Sequence, residues 1–158
     1  IAVAVANSAV EVFLNTGGAV PYSTVPDLFL GLDAVPGLTI ALGDFDSDGL
    51  LDISYPAPYC HIGIVLQREA GEGDLFPSGP DYVIYHTWTE DFAELWSGDL
   101  TGDGLTDIAA RALGGSELRF FDQLDFASAE GSYDGLVLPE QPSFVWSSRA
   151  VQSEIITR

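Results

Sequence analysis

Two nine-residue stretches carry oxygen-bearing side chains at a spacing suited to holding a cation. In Asp44-Phe45-Asp46-Ser47-Asp48-Gly49-Leu50-Leu51-Asp52, carboxylates fall at positions 1, 3, 5 and 9, and the Leu50 carbonyl is available at position 7. In the second stretch Asp99, Asp103 and Asp107 keep positions 1, 5 and 9, the Leu105 carbonyl takes position 7, and Thr101 replaces the acid at position 3. Ca²⁺ takes ~6–8 hard oxygen ligands at ~2.3–2.6 Å, and carboxylates gathered this closely repel one another without a cation. Two Ca²⁺ sites are therefore expected, the second weaker because it has one acid fewer. Gly49 and Gly104, both at position 6, mark where the chain must turn sharply, at φ > 0, to bring later ligands back toward the first. Acidic turns that hold no ion are the bland alternative, and two copies in register argue against it.

The helical EF-hand loop opens with the same D-x-D-x-D-G pattern. It requires a bidentate Glu at position 12, where this chain has Tyr55 and Ala110. The acid at position 9 and the strand-like flanks exclude that motif.

The elements that must position these loops repeat along the chain. Gly43–Ala57 (GDFDSDGLLDISYPA) aligns with Gly98–Ala112 (GDLTGDGLTDIAARA) at an offset of 55 residues, and Ile1, Ile53 and Ile108 stand 52 and then 55 residues apart. Three units follow: a partial one over 1–42, then 43–97 and 98–158. Each supplies a further alternating run, at Val10–Leu14, Ile62–Leu66 and Leu118–Phe121, and period-two alternation argues strand. Leu38–Leu42 and Ala93–Trp96 alternate just before the loops, while Tyr82–Tyr85 and Phe144–Ser147 are aromatic and β-branched candidates for a fourth strand. The connections 71–80 and 127–142 are rich in Gly, Ser, Pro and Asp and carry no helical period. The fold class predicted is all-β, with about four antiparallel strands per unit. Such units suit the blades of a β-propeller, and a β-sandwich is the main competitor.

With these residues in view, GDFDSDGLLDI and GDLTGDGLTDIAAR resemble the FG-GAP/VCBS repeats of integrin α-subunit propellers and of many secreted bacterial proteins. The resemblance implies that the acidic loop joins the first and second strands of a blade and binds Ca²⁺ within a propeller of six to eight blades. It also implies an extracellular or cell-surface location. This chain holds fewer units than such a ring needs. Ser153–Arg158 resembles a pre-loop strand and Ile1–Ala6 a post-loop strand, so the two ends are expected to belong to one blade. Ile1 is not an initiator methionine, which suggests a processed or excised piece. Completion by another chain or segment, or a homo-oligomer sharing blades, would cover the remaining faces and strand edges.

Composition narrows the function. The net charge of −19, from 24 acids against five arginines and no lysine, repels phosphate backbones, so no nucleic-acid partner is expected. No apolar run approaches the ~20 residues of a membrane span. Cys60 is alone, so no intrachain disulfide forms, and it reads as a small buried hydrophobe. The function expected is a calcium-binding extracellular scaffold for protein or cell-surface interaction, with Ca²⁺ structural. A lectin-type propeller is the alternative, because Trp88, Trp96, Trp146 and several tyrosines offer faces on which a sugar can stack, although most aromatics serve the core. No enzyme is expected, since His61 and His86 accompany neither a nucleophile elbow nor a His-x-x-x-His metal motif.

Overall fold

A computed structural model describes residues 2–6, 9–15, 17–19, 22–31, 39–59, 61–69, 71, 73–84, 92–123 and 144–147. Eleven strands occur among them and no helix: β1 (Ala2–Ala6), β2 (Ala9–Phe13), β3 (Leu28–Leu30), β4 (Ala41–Gly43), β5 (Asp52–Ala57), β6 (His61–Val65), β7 (Tyr82–Ile84), β8 (Phe92–Gly98), β9 (Asp107–Ala112), β10 (Glu117–Phe121) and β11 (Phe144–Ser147). They form three antiparallel meanders, β1-β2-β3, β4-β5-β6-β7 and β8-β9-β10-β11, and no sheet closes on itself. The predicted all-β class and the four-stranded unit are both present. Cys60, His86, Trp88 and the segments 127–142 and 153–158 lie outside the described residues.

The sheets do not divide where the acidic loops begin. The strand before each loop folds back on the strand after it, pairing Leu42 with Ile53 and Ser97 with Ile108. The sheets therefore take residues 41–84 and 92–147, in place of the units 43–97 and 98–158, and β4 leaves the first unit for the second. The first hairpin is also one residue out of step with the Ile1–Ile53 spacing, because Ala2 stands opposite Phe13 as Ile53 stands opposite Val65.

The central sheet is buried on both faces, which is why every residue of β5 is buried. Ile53, Tyr55, Ala57 and Val65 pack with Val10, Val12 and Leu30 of the first sheet. On the other face Ala41, Ile62, Ile64 and Leu66 pack with Phe92, Leu95, Ile108, Ala110 and Phe121 of the third sheet. Each fully buried Ile or Phe contributes roughly 1.5–3 kcal/mol of transfer free energy, so these two interlayer cores carry most of the stabilisation. The second and third sheets approach closely at their first strands. Ser97 Oγ donates to the Leu42 carbonyl at 2.6 Å, and the Leu95 amide donates to Thr39 Oγ1 at 2.9 Å. A side chain at Gly43 would put its Cβ 2.5 Å from Thr106 Cγ2, so that approach requires glycine.

A second repeated device lies before the fourth strand of a unit. The Asp27 amide donates to the Val12 carbonyl at 2.9 Å while Asp27 Oδ2 accepts the Leu14 amide at 2.8 Å. Asp81 repeats both bonds, to the Ile64 carbonyl and from the Leu66 amide, at 2.9 and 2.8 Å. Each follows a proline, Pro26 or Pro80, that cannot extend the preceding chain as a paired strand. This clamp delivers β3, a strand the alternation pattern does not reveal.

Candidate metal centre

The loop from Asp44 to Leu51 leaves β4 and returns into β5, so the hairpin fixes both of its ends. Within it the carboxylates fold the backbone around themselves. Asp44 Oδ1 accepts the Asp48 amide at 3.0 Å and Oδ2 accepts the Gly49 amide at 2.9 Å. Asp48 Oδ1 accepts the Leu50 amide at 2.7 Å, an Asx turn in which the side chain bonds the backbone two residues on. Gly49 has φ of +89° and Gly104 +90°, as their place at position 6 predicts. Position 4 shares the left-handed conformation, with Ser47 at +64° and Gly102 at +86°.

These turns bring one oxygen each of Asp44, Asp46 and Asp48 within 4.8 Å of one another, a group that could hold a metal ion. The electrostatics agree. Asp46 is pushed above the usual carboxylate range first by burial and then by the neighbouring Asp48 charge, with Asp44 adding to it. A bound divalent cation would reverse those charge effects and hold all three acids ionised.

Asp52, the expected ligand at position 9, is not one of that group of three, although the Asp46 and Asp48 charges reach it and add to the effect of burial in raising its pKa. It is fully buried, with Oδ2 accepting the Phe45 amide at 2.7 Å and Oδ1 accepting the Gln67 amide at 2.9 Å. It bridges the start of the loop to the residue chain just beyond β6. Burial, the largest cause, raises its pKa from 3.8 to about 7, against the lowering effect of the two amides. Ligation would require Asp52 to use lone pairs left over from those bonds.

The second loop folds alike and gathers fewer charges. Asp99 Oδ1 accepts the Gly102 and Asp103 amides at 2.6 and 3.1 Å, and its Oδ2 accepts the Gly104 amide at 3.1 Å. Asp103 Oδ1 accepts the Leu105 amide at 2.9 Å. Asp107 is buried like Asp52, its Oδ2 accepting the Leu100 and Thr101 amides at 2.8 and 3.1 Å and its Oδ1 the Gln123 amide at 2.9 Å. Among the described residues Asp99, Asp103 and Asp107 do not form a second group of three. Thr101, at position 3, supplies no carboxylate to complete one.

Comparison with protein-family models, with curated proteins and with solved structures finds no match. The geometry itself therefore defines the site.

Asp122 is the acidic residue the spacing did not single out. It follows β10 and hydrogen-bonds the Asp107 carboxyl, and burial followed by the Asp107 and Asp103 charges raises its pKa. The signal that could have found it is pairing: Phe121 stands opposite Ile108, so the next residue meets Asp107. His61, at the start of β6, has its ring 6.5 Å from that of Tyr59. Tyr59 is 82% exposed and holds φ of +64° in the β5–β6 turn.

Proposed function

We propose that this chain is a Ca²⁺-stabilised, propeller-type β-scaffold that works outside the cell as an interaction module, with the ion in a structural role. The observation that carries the reading is the convergence of Asp44, Asp46 and Asp48 at the head of a hairpin buried between two other sheets. A cation there draws three carboxylates together and fixes the turn that sets the register of β4 on β5. Oxygen-only ligands on a short loop suit Ca²⁺ better than Mg²⁺, which demands a tighter octahedral shell. The likeness of both loops to FG-GAP/VCBS repeats supports the same ion, and face-to-face stacking of successive meanders supports the propeller. Extracellular modules of this kind bind at about 10⁻⁴–10⁻³ M, where Ca²⁺ outside a cell keeps them loaded.

Calorimetric titration tests the proposal. Ca²⁺ should bind the first loop more tightly than Mg²⁺ does, Asp48→Ala should abolish that event, and Asp103→Ala should remove only a weaker one. Absence of any Ca²⁺ heat would defeat the reading.

A glycan-binding reading is favoured by one observation, the nearly free Tyr59 ring held in a backbone conformation unusual for an aromatic residue. A glycan array tests it: sugar-dependent signal that Tyr59→Ala removes supports a lectin, and a blank array defeats it.

A further inference from the structure

The apolar strip on the outer face of the third sheet matches the face by which the second sheet receives the third. Pairing registers define the equivalence. Trp96 stands opposite Ala109 as Ala41 stands opposite Ser54, and Phe120 stands opposite Phe144 as Ile64 stands opposite Tyr82. Trp96, Leu100, Leu118 and Phe120 thus occupy the places of Ala41, Phe45, Ile62 and Ile64. Those four residues of the second sheet are buried against the third. On the third sheet Trp96 is 44% and Leu100 48% exposed, and Leu118 and Phe120 are half-buried. Asp122 replaces Leu66 beside the second acidic loop, and at the other end Arg111, ion-paired with Glu94, replaces Pro56, so the apolar strip of Trp96, Leu118 and Phe120 lies between two polar ends.

The opposite end of the stack is open in a matching way. Glu11 of β2 pairs with Phe29 of β3 on the face away from Val10, Val12 and Leu30, and Phe29 is 64% exposed. The corresponding face of the second sheet, carrying Tyr55 and Val65, is buried against the first sheet.

We infer that the outer face of the third sheet docks the outer face of the first sheet of a second copy, continuing the stack head to tail. The occupant follows from the repeat: a surface built like the second sheet's receiving face is shaped for a meander of the same kind. The first sheet of another copy presents one with Phe29 exposed on its outer face. Such a contact is heterologous, using two different patches per copy, so it propagates into a ring or a filament. The inference rests on the sheet stacking in the proposed function and not on the metal. Monomeric protein with intact Ca²⁺ binding therefore overturns it alone.

Sedimentation velocity tests it, in buffer with Ca²⁺ and enough salt to screen the net negative charge. The full chain should exceed the mass of one copy as concentration rises. Trp96→Glu and Phe29→Glu, both at exposed positions, should each sediment as one copy while keeping the wild-type circular dichroism melt. Mixing the two variants should restore a complex of one copy each, because the mixture retains one intact pair of faces. A wild-type chain that stays monomeric, a variant that assembles like wild type, or a mixture that stays monomeric would each overturn the inference.

Discussion

Replacing Asp107 by asparagine separates a carboxylate that organises backbone from one that only ligates a metal. Asp107 is 1% exposed and accepts three amides, from Leu100, Thr101 and Gln123. Asparagine keeps one acceptor oxygen and turns an NH₂ group toward whichever amides the other oxygen served. If it keeps Leu100 and Thr101, both partly in water, the buried Gln123 amide is orphaned. An unsatisfied buried donor costs about 1–3 kcal/mol. Alanine removes all three acceptor contacts, and because water can reach two of the donors the sum should be about 2–5 kcal/mol. The assay is urea unfolding in EDTA, where metal ligation contributes nothing. Asp107→Asn should lower the unfolding free energy by ~1–3 kcal/mol and Asp107→Ala by more, with an unchanged slope. Unaltered midpoints in EDTA, with losses only in Ca²⁺, would refute the bridging role.

Three further outcomes are expected. Gly63→Ala puts a Cβ 2.3–2.6 Å from the buried Tyr55 ring, its cross-strand partner. It should cost ~1–3 kcal/mol by overpacking, and a double-mutant cycle with Tyr55→Leu should return much of that; additive effects would contradict the contact. Gly49→Ala, at φ +89° in open space, should lose about 1–2 kcal/mol through backbone strain alone, and an unshifted urea midpoint would deny the left-handed turn. Asp52 gives a pH signature in EDTA: its folded pKa of about 7 exceeds the ordinary 3.8, so the folded state holds an extra proton between those values. Stability should therefore fall as pH rises from about 4 to 7 and level off above. Asp52→Asn should flatten the curve relative to wild type, and parallel curves would rule the assignment out.

Alternation and turn residues made most strands legible, because each face of these sheets packs on another layer or on solvent. Val10–Leu14, Ile62–Leu66 and Leu118–Phe121 became β2, β6 and β10 within a residue. β3 stayed hidden because three residues cannot display a period; its signal was the Pro26-Asp27 pair recurring as Pro80-Asp81. Repeat units drawn at the loops and hydrogen-bonded sheets have different bounds, since sequence similarity begins at the loop whereas hydrogen bonding joins the strands on either side of it. Asp44, Asp46 and Asp48 could be read as a cluster because i, i+2 and i+4 within a tight turn leave few other arrangements. Asp52 and Asp107 could not be so resolved. Spacing places them near the loop, whose own amides bond one oxygen of each, but the amide that claims the other oxygen comes from residue 67 or 123, brought close only after β6 and β10 have paired.

The convergence of Asp44, Asp46 and Asp48 on a cation is tested most directly by thermal unfolding of wild type and Asp46→Asn, each with Ca²⁺ and with EDTA. At 100 times its dissociation constant a ligand specific to the folded state adds about 2.7 kcal/mol, which for a chain of this size raises the melting temperature by roughly 5–11 °C. Wild type should show that rise and Asp46→Asn should lose most of it while melting no lower than wild type in EDTA, because the substitution relieves carboxylate repulsion. Equal melting temperatures for wild type with and without Ca²⁺, or an undiminished rise in the variant, would contradict the account.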